Sequence, residues 1–265
     1  MQRNFSRRSA LVGVVSGSLL VAASNVSATH SWNGYHWART TPSFTLKIGD
    51  NVSQEWKTTL ATASGDWSAS DVLTTTIVAG QSRGRNCRGT AGRVEVCNGA
   101  YGNNGWLGIA SISISGGAHI TQGTVRLNDT YFNTATYNTT AWRNLVTCQE
   151  VGHTFGLDHQ DENFSNPNLG TCMDYTNNPV SNQHPNAHDY QELDIIYAHL
   201  DSTTTISQPT TDNFAANIDL DNPKNWGQLV KRSHGGRTSI YELDLGHGRK
   251  QVTFVIWALE GDQPR

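Results

Sequence analysis

The sequence predicts an α+β fold that is followed by a small β-rich extension at its C-terminus. Strand-like runs and helical patterns both occur within residues 29–201, as expected of an α+β domain. Residues 202–213 are rich in Thr and lack periodicity, which is typical of a linker. Residues 214–265 then hold two further strand-like runs. We therefore divide the chain into an export signal (residues 1–28), a main domain (29–201), a linker (202–213) and the extension (214–265).

The main domain holds its strand-like and helical patterns in a definite order. Alternating or β-branched runs predict five strands, at residues 43–48, 72–78, 93–97, 106–114 and 124–127. Apolar residues at spacings of three and four predict a first helix over residues 52–67. A second helix is expected from the candidate N-cap Thr140 through Gly152, and a third from the candidate N-cap Asn186 through Leu200. The extension adds two expected strands around a Gly-rich turn, at residues 239–245 and 251–259.

The first residues of the chain predict a secretory signal peptide. Arg3, Arg7 and Arg8 form a basic start, residues 10–24 are apolar, and small residues at 26–28 offer a cleavage site. The apolar run is shorter than the about 20 residues that span a bilayer, and no later stretch is apolar enough to do so. We therefore expect a secreted, extracellular protein without a membrane span, whose export route the sequence leaves open.

The charge balance argues against binding to nucleic acid. Lys and Arg together number 19 and Asp and Glu 22, which leaves a formal net charge of -3. A surface that binds nucleic acid usually needs a basic face, and this composition does not supply one. Only 15% of the residues are charged, and a polar surface built from uncharged groups is common in exported proteins.

Four cysteines in an exported chain favour two disulfides, for which three pairings exist. Cys87 and Cys97 flank a segment rich in Gly and Arg, so a local bridge between them is the economical choice. That choice leaves Cys148 to pair with Cys172. Four free buried thiols are the alternative.

The stretch from Gln149 to His159 carries the chemistry of the chain. On a helix, Gln149 and His153 share one face because they are four residues apart, and Glu150 lies beside that face. Gly156 permits the helix to end and the chain to turn back, so that His159 approaches His153 from outside the helix. Two imidazoles next to a carboxylate are the groups that a catalytic Zn²⁺ requires, with Glu150 placed to take a proton from water.

These residues resemble the signature of the metzincin clan of zinc endopeptidases, HExxHxxGxxH followed by a Met-turn. The Cys-Met-Asp-Tyr sequence at residues 172–175 is similar to that Met-turn, and the resemblance extends over residues 35–200. It implies a twisted mixed sheet with an active-site helix, and a catalytic role for the main domain. It also implies that Met173 lies beneath the metal and that Tyr175 binds zinc or stabilises the oxyanion. Residues 106–110 resemble the edge strand that binds substrate.

At one position the chain departs from this signature, because Gln149 stands where the clan has its first zinc-binding His. A neutral amide oxygen is a poorer zinc donor than an imidazole. Three interpretations follow. Gln149 is a weak third ligand; or water or another side chain, such as His184 or His188, completes the site; or the site has lost zinc and the fold serves as a binding module.

Other polar residues receive a plainer interpretation. The oxygen-rich loop at residues 158–168 could hold Ca²⁺, although a solvated loop is the simpler expectation. His30, His36, His234 and His247 show no partner spacing, and we take them as incidental.

We therefore expect a secreted, monomeric zinc endopeptidase that hydrolyses peptide bonds of a peptide or protein substrate by metal-activated water. His153, His159 and Gln149 would hold Zn²⁺. Glu150 would act as general base and then as acid, and Tyr175 would help to stabilise the oxyanion. The alternative is a catalytically dead protein of the metzincin fold, secreted as a binding or adhesion module. Retention of Glu150 favours the enzyme, because a binding module needs no base beside the ligands.

Overall fold

The computed structural model describes residues 30–209, 218–233 and 235–259, besides Met1. Apart from Met1, the expected signal peptide lies outside these residues, as do parts of the expected linker and extension. Within the described residues the chain forms a mixed sheet of nine strands with a few helices, which confirms the α+β prediction. None of the helices in these residues is both long and apolar enough to cross a membrane.

The sheet combines a parallel half with an antiparallel half. Its strands are β1 (His36–Trp37), β2 (Phe44–Asn51), β3 (Leu73–Ala79), β4 (Val94–Gly99), β5 (Trp106–Ser115), β6 (His119–Asn128), β7 (Gln228–Arg232), β8 (Thr238–Gly246) and β9 (Arg249–Trp257). Their order is β3-β2-β4-β6-β5-β9-β8-β7, and β1 pairs with β6 outside this path. The pairs among β2, β3, β4 and β6 are parallel, and those from β6 through β5, β9 and β8 to β7 are antiparallel.

The α-helices in the described residues are α1 (Lys57–Trp67), α2 (Asp129–Phe132), α3 (Thr140–His153) and α4 (Ala187–Ile196). Three of them lie close to the positions that the sequence predicts, whereas the short helix α2 was not predicted. The N-cap of α3 is Thr139, one residue before the expected Thr140, because the Thr139 hydroxyl accepts from Trp142 N at 3.2 Å. Asn186 caps α4 as expected, in a capping box with Asp189. This helix ends before Leu200, whose side chain is exposed.

The C-terminal strands join the main sheet. β8 and β9 lie where two strands were expected, whereas β7 was not foreseen. β9 pairs with β5 from Trp106 to Ile114, so β7, β8 and β9 continue the sheet of the main domain. Ile240 and Phe254 are buried in the same core as Leu107. This pairing is not predictable from the sequence, because strand periodicity shows which face is buried and not which strand is the neighbour.

Both expected disulfides are present. Cys87 is bonded to Cys97, and Cys148 to Cys172, each pair with its Cα atoms 5.9 Å apart. None of the four cysteines is a free thiol, so the alternative of unpaired cysteines is wrong. The second bridge ties α3 to the segment that begins the Met-turn-like sequence.

Candidate active site

Helix α3 places three of the expected site residues on its buried face. Gln149, Glu150 and His153 are each only 1% exposed. The helix lies very close to its neighbours at Gly152, where an added β-carbon would be 2.8 Å from Met173 Sδ. Met173 therefore packs against α3 directly beside His153.

A glycine turn brings the second imidazole back to the first. Gly156 has φ of 96°, and an added β-carbon would lie 2.0 Å from the Tyr35 carbonyl oxygen, so only glycine fits here. After the turn, Leu157 O lies 2.9 Å from His153 Nδ1. The Nε2 atoms of His153 and His159 come to 3.1 Å of each other. The structure thus brings together the two His residues that the sequence singled out.

The two imidazoles present lone pairs to each other. Hydrogen bonding to Leu157 O requires the proton of neutral His153 to sit on Nδ1, and the Asp158 carboxylate, 3.3 Å from His159 Nδ1, holds a proton there. Burial lowers the pKa of both rings, that of His153 to about 3, so both are neutral. A tetrahedral Zn²⁺ with bonds of about 2.0 Å separates its ligand atoms by about 3.3 Å. The two facing Nε2 atoms therefore fit ligation of one metal ion.

The amide of Gln149 is held in a fixed orientation beside this pair. Its Nε2 donates to Cys172 O at 2.9 Å. Its Oε1 is buried and has no hydrogen-bond partner among the described residues. An orphaned buried oxygen on the helix face of His153 is consistent with a third, weaker ligand.

The two side chains that could replace Gln149 have other partners. His184 Nδ1 lies 2.7 Å from Asp66 Oδ2. The His188 ring stacks on His30, with ring centroids 4.9 Å apart. The structure therefore groups both residues with partners outside the pair formed by His153 and His159.

The Glu150 side chain is buried against strand β5. Burial raises the pKa of its carboxyl group well above the ordinary value, and the backbone N–H of Ala110 opposes this by donating to it. Its Oε2 has no hydrogen-bond partner among the described residues. At Gly108 an added β-carbon would be 2.9 Å from Glu150 Oε1. Gly108 therefore leaves room for the Glu150 side chain. The sequence did not predict this, because a glycine within a strand indicates in the first place only a less stable strand.

Tyr175 lies on the outer side of His159. Its hydroxyl is 2.9 Å from His159 Nδ1, and it also accepts a hydrogen bond from the Thr238 hydroxyl. Burial raises the pKa of this phenol well above its ordinary value, so it remains protonated. The Tyr175 ring stacks on Phe164, with centroids 4.8 Å apart. The hydroxyl thus bonds to the imidazole nitrogen that faces away from His153.

The C-terminal strands cover the site. Ala110 of β5 is paired with Phe254 of β9, whose ring stacks on His153 at 4.3 Å between centroids and 6° between planes. Lys231 of β7 binds Asp158 Oδ2 at 2.6 Å. With the bond from Thr238 to Tyr175, all three C-terminal strands contact the site. None of these contacts is predictable from the sequence, because each depends on the pairing of β9 with β5.

The carboxylates of the oxygen-rich loop have partners of their own. Asp158 and Glu162 both pair with Lys231, and Asp161 accepts a hydrogen bond from Asn163 N at 2.7 Å. These contacts neither require nor exclude an ion, so calcium in this loop stays a prediction.

Comparison with known proteins adds a distant structural similarity. No family model matches the chain, and no curated protein matches it. Among solved structures, the chain is similar to high choriolytic enzyme 1 (HCE-1), a hatching enzyme zinc-protease from Oryzias latipes (medaka fish). The TM-score is 0.35 at 10% sequence identity, over 62% of this chain and 94% of that chain. A similarity this distant supports no inference about this chain, so its function has to be argued from its own residues.

Proposed function

We propose that the chain is a secreted zinc endopeptidase of the metzincin type that acts on a peptide or protein substrate. The observation that carries the proposal is the distance of 3.1 Å between the Nε2 atoms of His153 and His159, both of which are buried. A structural role alone would be served better by hydrogen-bonded or apolar side chains at these buried positions. The buried carboxyl group of Glu150 on the same helix adds a proton acceptor.

Some residues of the site would bind the metal ion, and Glu150 would transfer protons. His153, His159 and the Oε1 atom of Gln149 would hold Zn²⁺. When bound, the ion would polarise the scissile carbonyl and make water more acidic. Glu150 accepts a hydrogen bond from the backbone N–H of Ala110, and burial raises its pKa. It would take a proton from water at Oε2 and return it to the leaving amine. The dry surroundings favour the uptake of this proton, because they stabilise the protonated carboxyl group.

Tyr175 would first orient His159 and then assist the reaction. Its hydroxyl bonds to His159 Nδ1 in the described conformation. To stabilise an oxyanion, the hydroxyl would have to leave both this bond and its bond with Thr238. Withdrawal of β8 would remove the second of these restraints.

The second candidate function is a secreted binding or adhesion module without catalytic activity. The covered site favours it, because Phe254 stacks on His153 and leaves the site residues buried. The two candidates differ in what Glu150 does, and this difference can be measured.

The test combines metal analysis with hydrolysis of a fluorogenic casein by the purified mature protein. We expect one bound zinc ion fewer in His153→Asn than in wild type, and hydrolysis that a zinc chelator abolishes and added zinc restores. Glu150→Gln should keep the zinc and lose activity about a hundredfold or more, because the amide accepts no proton. Glu55→Gln, at an exposed position, is the matched control and should change neither. A zinc-loaded protein that stays inactive after its C-terminal strands are loosened would be a binding module.

A further inference from the structure

A second cluster of imidazoles lies at a different corner of the fold. His36 of β1, His119 of β6 and Asp201, which follows α4, bring their ligand atoms together. Asp201 Oδ1 is 3.4 Å from His36 Nε2 and 3.2 Å from His119 Nε2. His199 Nε2 lies 3.2 Å from His36 Nε2 and 3.7 Å from Asp201 Oδ1. None of these residues belongs to the candidate active site.

These distances are those of ligands around one zinc ion. Four ligands at about 2.0 Å from a tetrahedral Zn²⁺ lie about 3.3 Å from one another. His36, His119 and Asp201 already approach this arrangement. His199 is the most exposed of the four, with 55% of its side chain accessible, so it is free to adjust its rotamer.

The groups behind the cluster hold its ligand atoms in the orientation that a metal requires. His36 Nδ1 bonds to Gly34 O at 2.7 Å, which places the proton of the neutral ring on Nδ1 and leaves a lone pair on Nε2. Asp201 Oδ2 accepts from Arg39 N at 2.9 Å, which leaves Oδ1 for the cluster. Such outer hydrogen bonds are typical of metal-ligating His and carboxylate groups. Without a cation, the Nε2 lone pair of neutral His36 would face the carboxylate oxygen.

We propose that His36, His119, Asp201 and His199 form a structural zinc site. Imidazole ligands favour zinc and related transition metals over Ca²⁺ and Mg²⁺, which prefer oxygen. Four protein ligands would leave no open position for substrate, as in structural rather than catalytic zinc sites. The half-buried His119 and the exposed His199 give the ion a path from solvent.

This zinc site would fasten the start of the domain to its end. The neighbouring Trp37 donates from its indole Nε1 to Thr154 O at 2.9 Å, at the end of α3. The Tyr197 hydroxyl lies 3.3 Å from Trp37 N and donates to Phe155 O at 3.0 Å. The ion would therefore stabilise the segments that support the turn between His153 and His159.

The test counts zinc ions in the full-length chain and in variants of each cluster, by native mass spectrometry. With both sites filled, we expect two ions in wild type and one in His119→Asn combined with His199→Asn. His153→Asn should also retain one, held by the second cluster. His247→Asn is the matched control, since His247 is exposed in a turn with φ of 55°, which Asn tolerates.

The outcomes separate this site from the proposed active site. One ion in wild type that is kept in His153→Asn and lost in the His119 and His199 variant would support the zinc cluster alone. The proposal is overturned if folded His153→Asn binds no zinc, which would make His36 and Asp201 an ordinary ion pair. It is equally overturned if the ion count is unchanged in the His119 and His199 variant. As a second readout, added zinc should raise the Tm of His153→Asn but not that of the variant lacking both clusters.

A separate observation, the cover over the active site, carries a second inference. We infer that β7, β8 and β9 hold the enzyme latent, an inference that rests on the proposed peptidase function. The edge of β5 beside Glu150 is already paired with β9, and the Phe254 ring occupies the face of His153. A peptide reaching the carboxyl group of Glu150 would have to displace these strands.

The test first weakens the contacts of β8 and β9 with the site and then fixes β9 to β5 with a disulfide. Thr238→Val removes the bond to Tyr175, and Phe254→Leu removes the ring stacked on His153. In combination they should speed both the removal of zinc by a chelator and the hydrolysis of casein. Ser113 and Gln251 lie opposite each other on β5 and β9, so cysteines at both positions should form a bridge that reverses these gains. Wild type treated with the same reductant controls for the native disulfides.

The two readouts distinguish the possible failures. Faster zinc removal without hydrolysis would support the cover and reject the peptidase. If neither rate rises in a folded, loosened variant, the latency inference is wrong. The same holds if the engineered bridge leaves the rates of the loosened variant unchanged.

Discussion

We propose that Gln149 sets the zinc affinity of the proposed active site. The amide gives one hydrogen bond to Cys172 O and leaves one oxygen for the ion, so its orientation is set before zinc arrives. An amide oxygen is nevertheless a weaker zinc donor than an imidazole nitrogen. The chain would therefore bind zinc less tightly than a site with three His ligands.

We expect Gln149→His to raise zinc affinity, because it places an imidazole four residues before His153 on the same helix face. Gln149→Ala should lower the affinity. Competition titration against a chelator measures both changes. Equal affinity in Gln149→Ala and wild type would mean that water or another side chain completes the site.

Two helical glycines should respond in opposite ways to the same substitution. In Gly152→Ala the added β-carbon would lie 2.6 Å from the Trp67 ring and 2.8 Å from Met173 Sδ, which should cost about 1–3 kcal/mol of stability. In Gly65→Ala it would meet open space on exposed α1, which should add about 0.5–1 kcal/mol. Denaturant unfolding measures both values. A neutral Gly152→Ala would show that α3 can move away from Met173 without cost.

At the scale of elements, the site depends on how α3 is fixed to its surroundings. The bridge from Cys148 to Cys172 joins α3 to the turn that carries Met173, and the Trp67 indole donates to Cys148 O at 3.0 Å. The helix itself was predictable, because its apolar stripe and glycine end are local signals. The covering of the site by β7, β8 and β9 was not predictable, because these strands are distant from α3 in the sequence.

Removal of this bridge should weaken both stability and metal binding. The bridge closes a loop with a sequence separation of 24, so Cys148→Ala with Cys172→Ala should cost about 3 kcal/mol. Zinc affinity should also fall, since Cys172 O orients the amide of Gln149. Cys87→Ala with Cys97→Ala is the control and should leave zinc affinity unchanged. If both double variants bind zinc equally well, the bridge has no part in positioning the ligand.

At the scale of the whole molecule, local patterns were predictable and long-range neighbours were not. The proximity of His153 and His159 was predictable from a single helix and turn. The cluster of His36, His119 and Asp201 could not be foreseen, because its members come from three separate segments. His36 was taken as incidental for the same reason, since no sequence spacing connects it to its partners.

The shared sheet predicts that the main domain and the C-terminal strands unfold together. Phe254 and Ile240 belong to the same core as Leu107, so separation of the strands would expose that core. We expect one cooperative transition in calorimetry, with equal calorimetric and van't Hoff enthalpies. Two resolved transitions would show that the extension is a unit with its own stability.

The pairing of β9 with β5 also has a consequence for how the protein is made. The Ser111 hydroxyl donates to the Thr253 hydroxyl at 3.3 Å, across 142 positions of the chain. Contacts between such distant segments form slowly, because closing the long intervening loop costs entropy. Since β9 is the last strand of the described chain, β5 stays an open edge until β9 has been synthesised. If the proposed active site binds zinc, we therefore expect a newly made chain to take up the ion most readily before this final strand pairs with β5.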